Sequence, residues 1–434
     1  MKELEGKKLL VLGGGATSRD IVNMAHSMGA YVIVTDYYDT HRSPAKLLAD
    51  EHWDISINDY DTLSAKIKEN GVNGVFTSFT DNYLLPYQHL CEINGLPFYA
   101  SREAFEKGFD KAKFKKMCAE YGVPTVPQYD VETFDPSTLS KKNAVILKPV
   151  DNSGARGITY CDNAADYPKA LENALSYSPS NHVIIEKYIR NGGTSMSVRY
   201  VAVDGELYLQ AVGDRYVLDD NNGKALITAA AFYPSNHTQY YIDNLDEKVK
   251  RMFKGVGVCN GALFMESFFT DEGVYFYEMG LRLSGGQTYN MTEIATGANE
   301  LRMLVRYALT GSMCGEEERN RIDPWLNGYA MGSVTIPLRA GTIAKIMGVD
   351  EIKSLPQVYA VSQLHQVGDE ITTEKVGTTL SLLSRISIVA KDKTILNETI
   401  EEIIRKVSVL DTKGNEMFIS DKVREIHSDY LNVK

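Results

Sequence analysis

Long apolar runs are missing from this chain. No stretch approaches the about 18 residues that a membrane-spanning helix needs. The first apolar run is broken by Gly13-Gly14-Gly15, so it is neither a secretory signal nor a span. Cysteine is scarce. The five residues Cys91, Cys118, Cys161, Cys259 and Cys314 show no Cys-x-x-Cys spacing, which excludes a disulfide scaffold and suits thiols in a reducing compartment. The eight histidines are scattered, with no His-Glu-x-x-His, so zinc chemistry is not expected. An excess of basic residues is also missing. Lys and Arg total 46 against 57 Asp and Glu, a net charge of −11. A general nucleic-acid binder needs the opposite balance to replace counterions. One small basic pocket for a phosphorylated ligand stays compatible with it. No repeat or low-complexity segment is visible. With 44% apolar and 24% charged residues in 434, the chain reads as a cytoplasmic globular protein with several cores.

Residues 7–100 read as alternating strands and helices. Leu9–Leu12, Tyr31–Thr35 and Gly74–Thr77 are short apolar strands, and Ile21, Met24, Ala25 and Met28 mark one helix face. That alternation predicts a parallel sheet covered by helices. A helix follows with Asp110 as its cap, Phe114, Met117, Cys118 and Tyr121 as its stripe, and Gly122 and Pro124 as its stop. From about 143 the strands turn antiparallel in character. Val198–Val203 and Leu207–Val212 flank Asp204-Gly205, a hairpin signal. Beyond about 325 the pattern shifts to Val334, Ile336 and Leu338, then Ile386 and Ile388, then a late helix carrying Ile400, Ile403, Ile404 and Val407.

Four stretches carry chemistry. Gly13-Gly14-Gly15 with Asp36 loosely suits a dinucleotide turn, but Ser18 stands where the third glycine would be, and a substrate contact or a plain tight turn fits as well. Residues 146–158 deliver Lys148 on a strand, then a loop in which Ser153, Gly154 and Gly157 surround Arg156. Such glycines let backbone N–H groups approach phosphate oxygens. Val183–Ile189 is an apolar strand ending in Glu186-Lys187-Tyr188-Ile189. Most informative is 261–286. With Thr270-Asp271-Glu272-Gly273 as the turn and Thr270 opposite Val274, Glu266 falls opposite Glu278. Like charges facing each other across strands are destabilising. A divalent cation between them removes the repulsion, and hard oxygen ligands suit Mg²⁺. If the strand continues, Gly280 and Arg282 face the same way as Glu278. Phe232, Tyr233 and His237 are candidates for the same cleft.

In this order and spacing the motifs resemble the ATP-grasp superfamily, in its carboxylate–amine ligase branch, over nearly the whole chain. The region around Leu364–Asp369 is similar to the closing domain of the biotin carboxylase, purine-biosynthesis and L-amino-acid-ligase branches. The resemblance implies an α/β and α+β multidomain fold. A Rossmann-like pre-ATP-grasp domain spans 1–105. An ATP-grasp domain of two α+β lobes spans 106–325, the small lobe at about 126–205. A small lid-like C-terminal α+β domain spans 326–434. It implies ATP and Mg²⁺ as cofactors, a small-molecule carboxylate and an amine as substrates, no nucleic-acid or membrane partner, and dimers as the common assembly. Lys111 and Lys148 would hold ATP phosphates, and Ser153, Gly154, Arg156 and Gly157 would form the flap over them. Glu186 and the backbone of Lys187 and Ile189 would frame the adenine. Glu266 and Glu278 would bind Mg²⁺. Arg282 would stabilise the transferring phosphoryl group, and Arg282, Ser284, Gly285 and Gly286 would position the acid as an acyl phosphate forms. Two departures stand out. Gly280 replaces the Asn usual after the second metal ligand, and Ser195 replaces the Glu usual at the ribose. A purine-type ligase, a bicarbonate-dependent carboxylase and a non-catalytic nucleotide-binding protein are the alternatives.

Overall fold

The computed structural model describes residues 2–109, 111–150, 157–189, 194–217 and 228–432. The N-terminal strands are β1 (Lys8–Leu12), β2 (Tyr31–Thr35), β3 (Glu51–Trp53) and β4 (Gly74–Phe76). They form a parallel sheet in the order β3-β2-β1-β4. Their near-continuous apolar runs are what a sheet covered on both faces requires. The helix Ser18–Met28 buries Ile21, Val22, Ala25 and Met28 and ends at Gly29 with φ +97°, the left-handed conformation that closes helices.

The next four strands are β5 (Gln128–Tyr129), β6 (Val145–Pro149), β7 (Thr159–Cys161) and β8 (Val183–Lys187). They make a small antiparallel sheet in the order β5-β8-β6-β7 with its own core of Val145, Leu147, Ala170 and Ile185.

The remaining strands are β9 (Thr194–Val203), β10 (Glu206–Val217), β11 (Thr228–Tyr233), β12 (Gly261–Thr270), β13 (Gly273–Gly280), β14 (Ala330–Pro337), β15 (Gly341–Met347), β16 (Val358–Gln363), β17 (Glu370–Ile371), β18 (Leu382–Ala390) and β19 (Ser408–Asp411). Eight of them form one sheet in the order β13-β12-β9-β10-β11-β14-β18-β16. The β9–β10 hairpin turns on Asp204 and Gly205, both at positive φ (+51° and +86°), as a two-residue primed turn demands.

The sheets run across two of the expected bounds. The boundary at 325/326 is not a break in the sheet, because β14 pairs with β11 and carries β18 and β16 with it. Strand β9, counted with the small lobe, lies in the large sheet. The helix Glu300–Thr310 also crosses expected lines. It packs so closely on the N-terminal sheet that a Cβ at Gly74 would lie 2.0 Å from the Ala308 carbonyl oxygen.

Candidate active site

Alternation along the large sheet gathers one set of side chains on one face. The register sets Glu278 opposite Glu266, and Gly280 opposite Phe264. Glu266 lies opposite Ser197, and Phe264 opposite Arg199. Arg215 lies opposite Ser195 and Ala231. Beyond β14 the same face continues to Ser387 and Arg385.

The pairing of Glu266 with Glu278 is as expected, but by a different route. Thr270 pairs with Gly273, not Val274, and a register shift at Glu266/Ser267 restores the match. The extra residue is Tyr277, which hydrogen-bonds with Ser195. Burial first, and then the Glu266 charge, push its hydroxyl pKa up. Glu266 is buried; its Oε1 accepts from Ser197 Oγ at 3.1 Å and its Oε2 from Arg215 Nη1 at 2.5 Å. Glu278 is exposed. Among the described residues no group of three metal-ligating side chains forms. Two facing carboxylates are nonetheless a donor set suited to Mg²⁺, which keeps waters and phosphates as its other ligands.

Gly280 has a local reason. A Cβ there would lie 2.4 Å from Phe264 Cε1, so the ring fills the space of a longer side chain. The extended continuation to Arg282 does not occur, because β13 ends at Gly280. Arg282 turns instead to Asp81, donating from Nε to Oδ1 at 2.5 Å and from Nη2 to Oδ2 at 2.9 Å. Its guanidinium lies 5.0 Å from the centre of the Phe264 ring, next to Glu266 on β12.

The segment after Arg282 is held from several sides. Tyr99 donates to the Leu281 carbonyl at 2.8 Å, and the Leu283 N–H donates to Ser78 Oγ at 3.1 Å. Ser284 accepts from Arg199 Nη1, while Arg199 Nη2 reaches the Tyr233 hydroxyl at 3.0 Å. A Cβ at Gly286 would sit 3.4 Å from Arg199 Nη2. Asp20 accepts from Gln287 and from the Tyr289 hydroxyl. Phe232 faces away and stacks on Tyr430, and His237 stacks on Phe269 at 3.6 Å, so only Tyr233 of that trio reaches this site.

The small sheet contributes a charged cluster. Glu186 Oε2 pairs with Lys148 at 2.5 Å and Oε1 pairs with Lys115, all three buried. Lys115 also donates to the Val126 carbonyl at 2.6 Å, and burial lowers its pKa. Two ammonium groups share one carboxylate here, which leaves a positive charge suited to an anion. Lys187 donates its N–H to Pro127 O at 2.9 Å, and Ile189 is buried. Gly157 has φ +78° and abuts Tyr177. Ser153, Gly154 and Arg156 lie outside the described residues, as do the cap Asp110 and the Lys111 side chain; the Lys111 backbone opens the helix Lys111–Glu120.

The Gly13–Gly15 turn is closed by the protein itself. Asp36 accepts from the Gly14 N–H at 2.9 Å and from Ser43 at 3.1 Å, and the Tyr83 ring covers Gly13. The acidic residue that a dinucleotide ribose needs is thus already engaged.

Residues 110–313 match the family model for the ATP-binding domain of the carbamoyl-phosphate synthase L chain. That family is of the ATP-grasp type, the one the motifs resemble. The 2-oxoglutarate carboxylase small subunit of Hydrogenobacter thermophilus is 25% identical to this chain over 360 residues, covering 75% of it and 70% of that protein. The formate-dependent phosphoribosylglycinamide formyltransferase of Bacillus subtilis is 24% identical over 290 residues, covering 64% and 71%. Among solved structures, the L-amino acid ligase from Bacillus licheniformis superposes with a TM-score of 0.76 at 17% identity, over 94% of this chain and 99% of that one. The biotin carboxylase domain dimer of the Hydrogenobacter enzyme, in complex with MgADP, ADP and bicarbonate, gives 0.72 at 20% identity, over 98% and 94%. These likenesses establish a mixed α/β multidomain fold of the ATP-grasp ligases.

Sequence reasoning missed Asp81, Arg199, Arg215 and Lys115. Only Asp81 had a signal. It follows the C-terminal end of a parallel strand, where open α/β sheets place their sites.

Proposed function

We propose that this protein is an ATP- and Mg²⁺-dependent ligase that activates a small carboxylate, such as an amino acid, as an acyl phosphate for attack by an amine, releasing ADP and phosphate. The observation that carries the reading is the Glu266–Glu278 pair on the sheet face that also bears Arg199 and Arg215, with Arg282 beside Phe264. In this reading the N-terminal sheet is the Rossmann-like pre-ATP-grasp domain, and the small sheet is the ATP lobe.

The chemistry needs positioning and charge neutralisation more than covalent help. A carboxylate oxygen of the acid forms a bond to the γ-phosphorus of ATP, and the bond to ADP breaks. The amine then attacks the acyl carbon and phosphate leaves. Lys148 and Lys111 hold phosphate oxygens, with Lys148 already positioned by Glu186. The backbone of Lys187 and Ile189 frames the adenine beside Glu186. Ser153, Gly154, Arg156 and Gly157 close over the phosphates and keep water from the acyl phosphate. Glu266 and Glu278 would hold Mg²⁺, which would neutralise charge on the phosphoryl oxygens. Arg282, aimed by Asp81, binds the acid and the phosphoryl group beside Ser284, Gly285 and Gly286.

The test is to incubate the pure protein with ATP, Mg²⁺ and pooled amino acids, with and without bicarbonate, and to measure ADP, AMP and phosphate. ADP and phosphate that depend on amino acids are expected. Glu278→Gln should cut that turnover by about 100-fold or more, the scale of losing a charge-stabilising group in a transition state, without shifting the melting temperature of so exposed a site. AMP with pyrophosphate would overturn the mechanism. Release that needs bicarbonate alone would move the protein to the carboxylases, and ATP binding without turnover would make it a nucleotide-binding protein.

A further inference from the structure

Arg215 has no part in the scheme above, yet it holds the buried metal-site carboxylate. It stands on β10, with β9 between it and Glu266 on β12. Nη1 donates to Glu266 Oε2 at 2.5 Å, and Nη2 donates to Thr228 Oγ1 at 2.8 Å. The other oxygen of Glu266 accepts from Ser197. A carboxylate oxygen has lone pairs to share with a hydroxyl and a cation together. A guanidinium and a metal ion cannot share one so easily, because like charges at contact distance repel.

We propose that Arg215 is an exchangeable counter-ion of the metal-binding carboxylates: it holds Glu266 until a divalent cation takes that place, and then turns to the anion that arrives with the cation. This rests on the ATP- and magnesium-dependent reading above. The anion is the phosphoryl group in transfer or the carboxylate it activates, both of which a guanidinium fork binds in bidentate fashion.

A second observation points to an anion at this spot. Arg385 comes from β18 onto the same sheet face and reaches the Gly285 carbonyl at 3.4 Å. Among the described residues no carboxylate is ion-paired with Arg385. Burial, and then the like charge of Arg215, make its proton easier to lose than usual. Two guanidinium groups, Arg215 on Glu266 and Arg385 at the Gly285 carbonyl, therefore stand within electrostatic reach of each other. Once a metal ion engages Glu266, Arg215 needs a new negative partner, and Arg385 has had none among the described residues. Metal and phosphorylated ligand should then bind as a coupled pair, each weakly alone.

The experiment uses the full chain and Mn²⁺ as probe, at pH 8, by electron paramagnetic resonance and calorimetry, first alone and then with ADP. Wild type should bind Mn²⁺ weakly alone and much more tightly with ADP. Arg215→Met should bind Mn²⁺ alone at least tenfold more tightly than wild type and lose most of the gain from ADP. Arg215→Lys, which keeps the charge, should stay close to wild type, and Glu266→Gln should abolish the tight binding seen in Arg215→Met. A folded Arg215→Met protein that binds Mn²⁺ alone no more tightly than wild type overturns the counter-ion role. If wild type then still binds Mn²⁺ with ADP through Glu266, only that role falls. If wild type binds neither Mn²⁺ nor ADP, alone or together, the ATP-dependent reading falls with it.

Discussion

Arg282 has two of its nitrogens on the two oxygens of Asp81, and Arg282 itself is buried. A bidentate pair fixes direction as well as charge. Asp81→Asn keeps the shape but weakens a hydrogen bond between charged groups worth about 1.5–3 kcal/mol. We expect kcat/KM for the acid to fall about 10- to 100-fold, because 1.4 kcal/mol is a factor of ten, with little change in the KM for ATP. Steady-state kinetics against each substrate check this. Gly280→Asn, which restores the side chain usual in the family, should destabilise the protein by about 1–3 kcal/mol through overpacking against Phe264. Phe264→Ala in the same chain should relieve that clash. Urea unfolding of the single and double variants measures both. At this scale the pairing of Glu266 with Glu278 was legible because alternation about a turn carries it. Arg199 and Arg215 were not, since their partners lie 85 and 51 positions away and no local pattern encodes that register.

The hairpin of β12 and β13 shows how far an element can be read. Counting outward from the turn set Glu266 against Glu278, but the count began one residue off. The bulge at Glu266/Ser267 absorbs the difference and turns Tyr277 toward Ser195. Bulges of this kind re-aim side chains near sites, and a spacing argument cannot see them. The C-terminal helix Ser420–Asn432 has its own consequence. His427 is buried beside Phe232, with Glu401 3.7 Å away and, among the described residues, no hydrogen-bond partner at Nε2. Burial pulls its pKa below the ordinary 6.5, against the opposing pull of Glu401. The unfolded chain therefore binds this proton more readily than the folded one. Stability should be full above pH 6.5 and should fall as the pH drops from there toward the folded value, by at most about 1.4 kcal/mol for each pH unit crossed. His427→Leu should flatten that part of the profile, as urea midpoints at pH 7.5 and 5.5 will show.

At the scale of the whole molecule, the chain order of motifs announced the fold, while the limits of its parts were harder to see. Composition changes near residue 325, yet β14, β18 and β16 extend the large sheet from β11. Deleting 326–434 would strip the edge of β11 and uncover Tyr216, Ala229 and Phe232. An exposed apolar edge of that kind aggregates. We expect the truncated chain to be insoluble or to elute as aggregates in size-exclusion chromatography; a soluble, fully active truncation would show that the last part is dispensable.

The stretch from Leu281 to Tyr289 is fastened by Asp20, Ser78, Asp81 and Tyr99 from the start of the chain, by Arg199 from its middle and by Arg385 near its end. Several of these ties join residues more than 200 positions apart. Contacts of such sequence separation form late, because the loops between them must close first. During synthesis the N-terminal sheet can fold on the ribosome, but this stretch cannot be fully secured until β18 has emerged. A nascent chain therefore completes the segment proposed to bind substrate only after nearly all of the large sheet has been made.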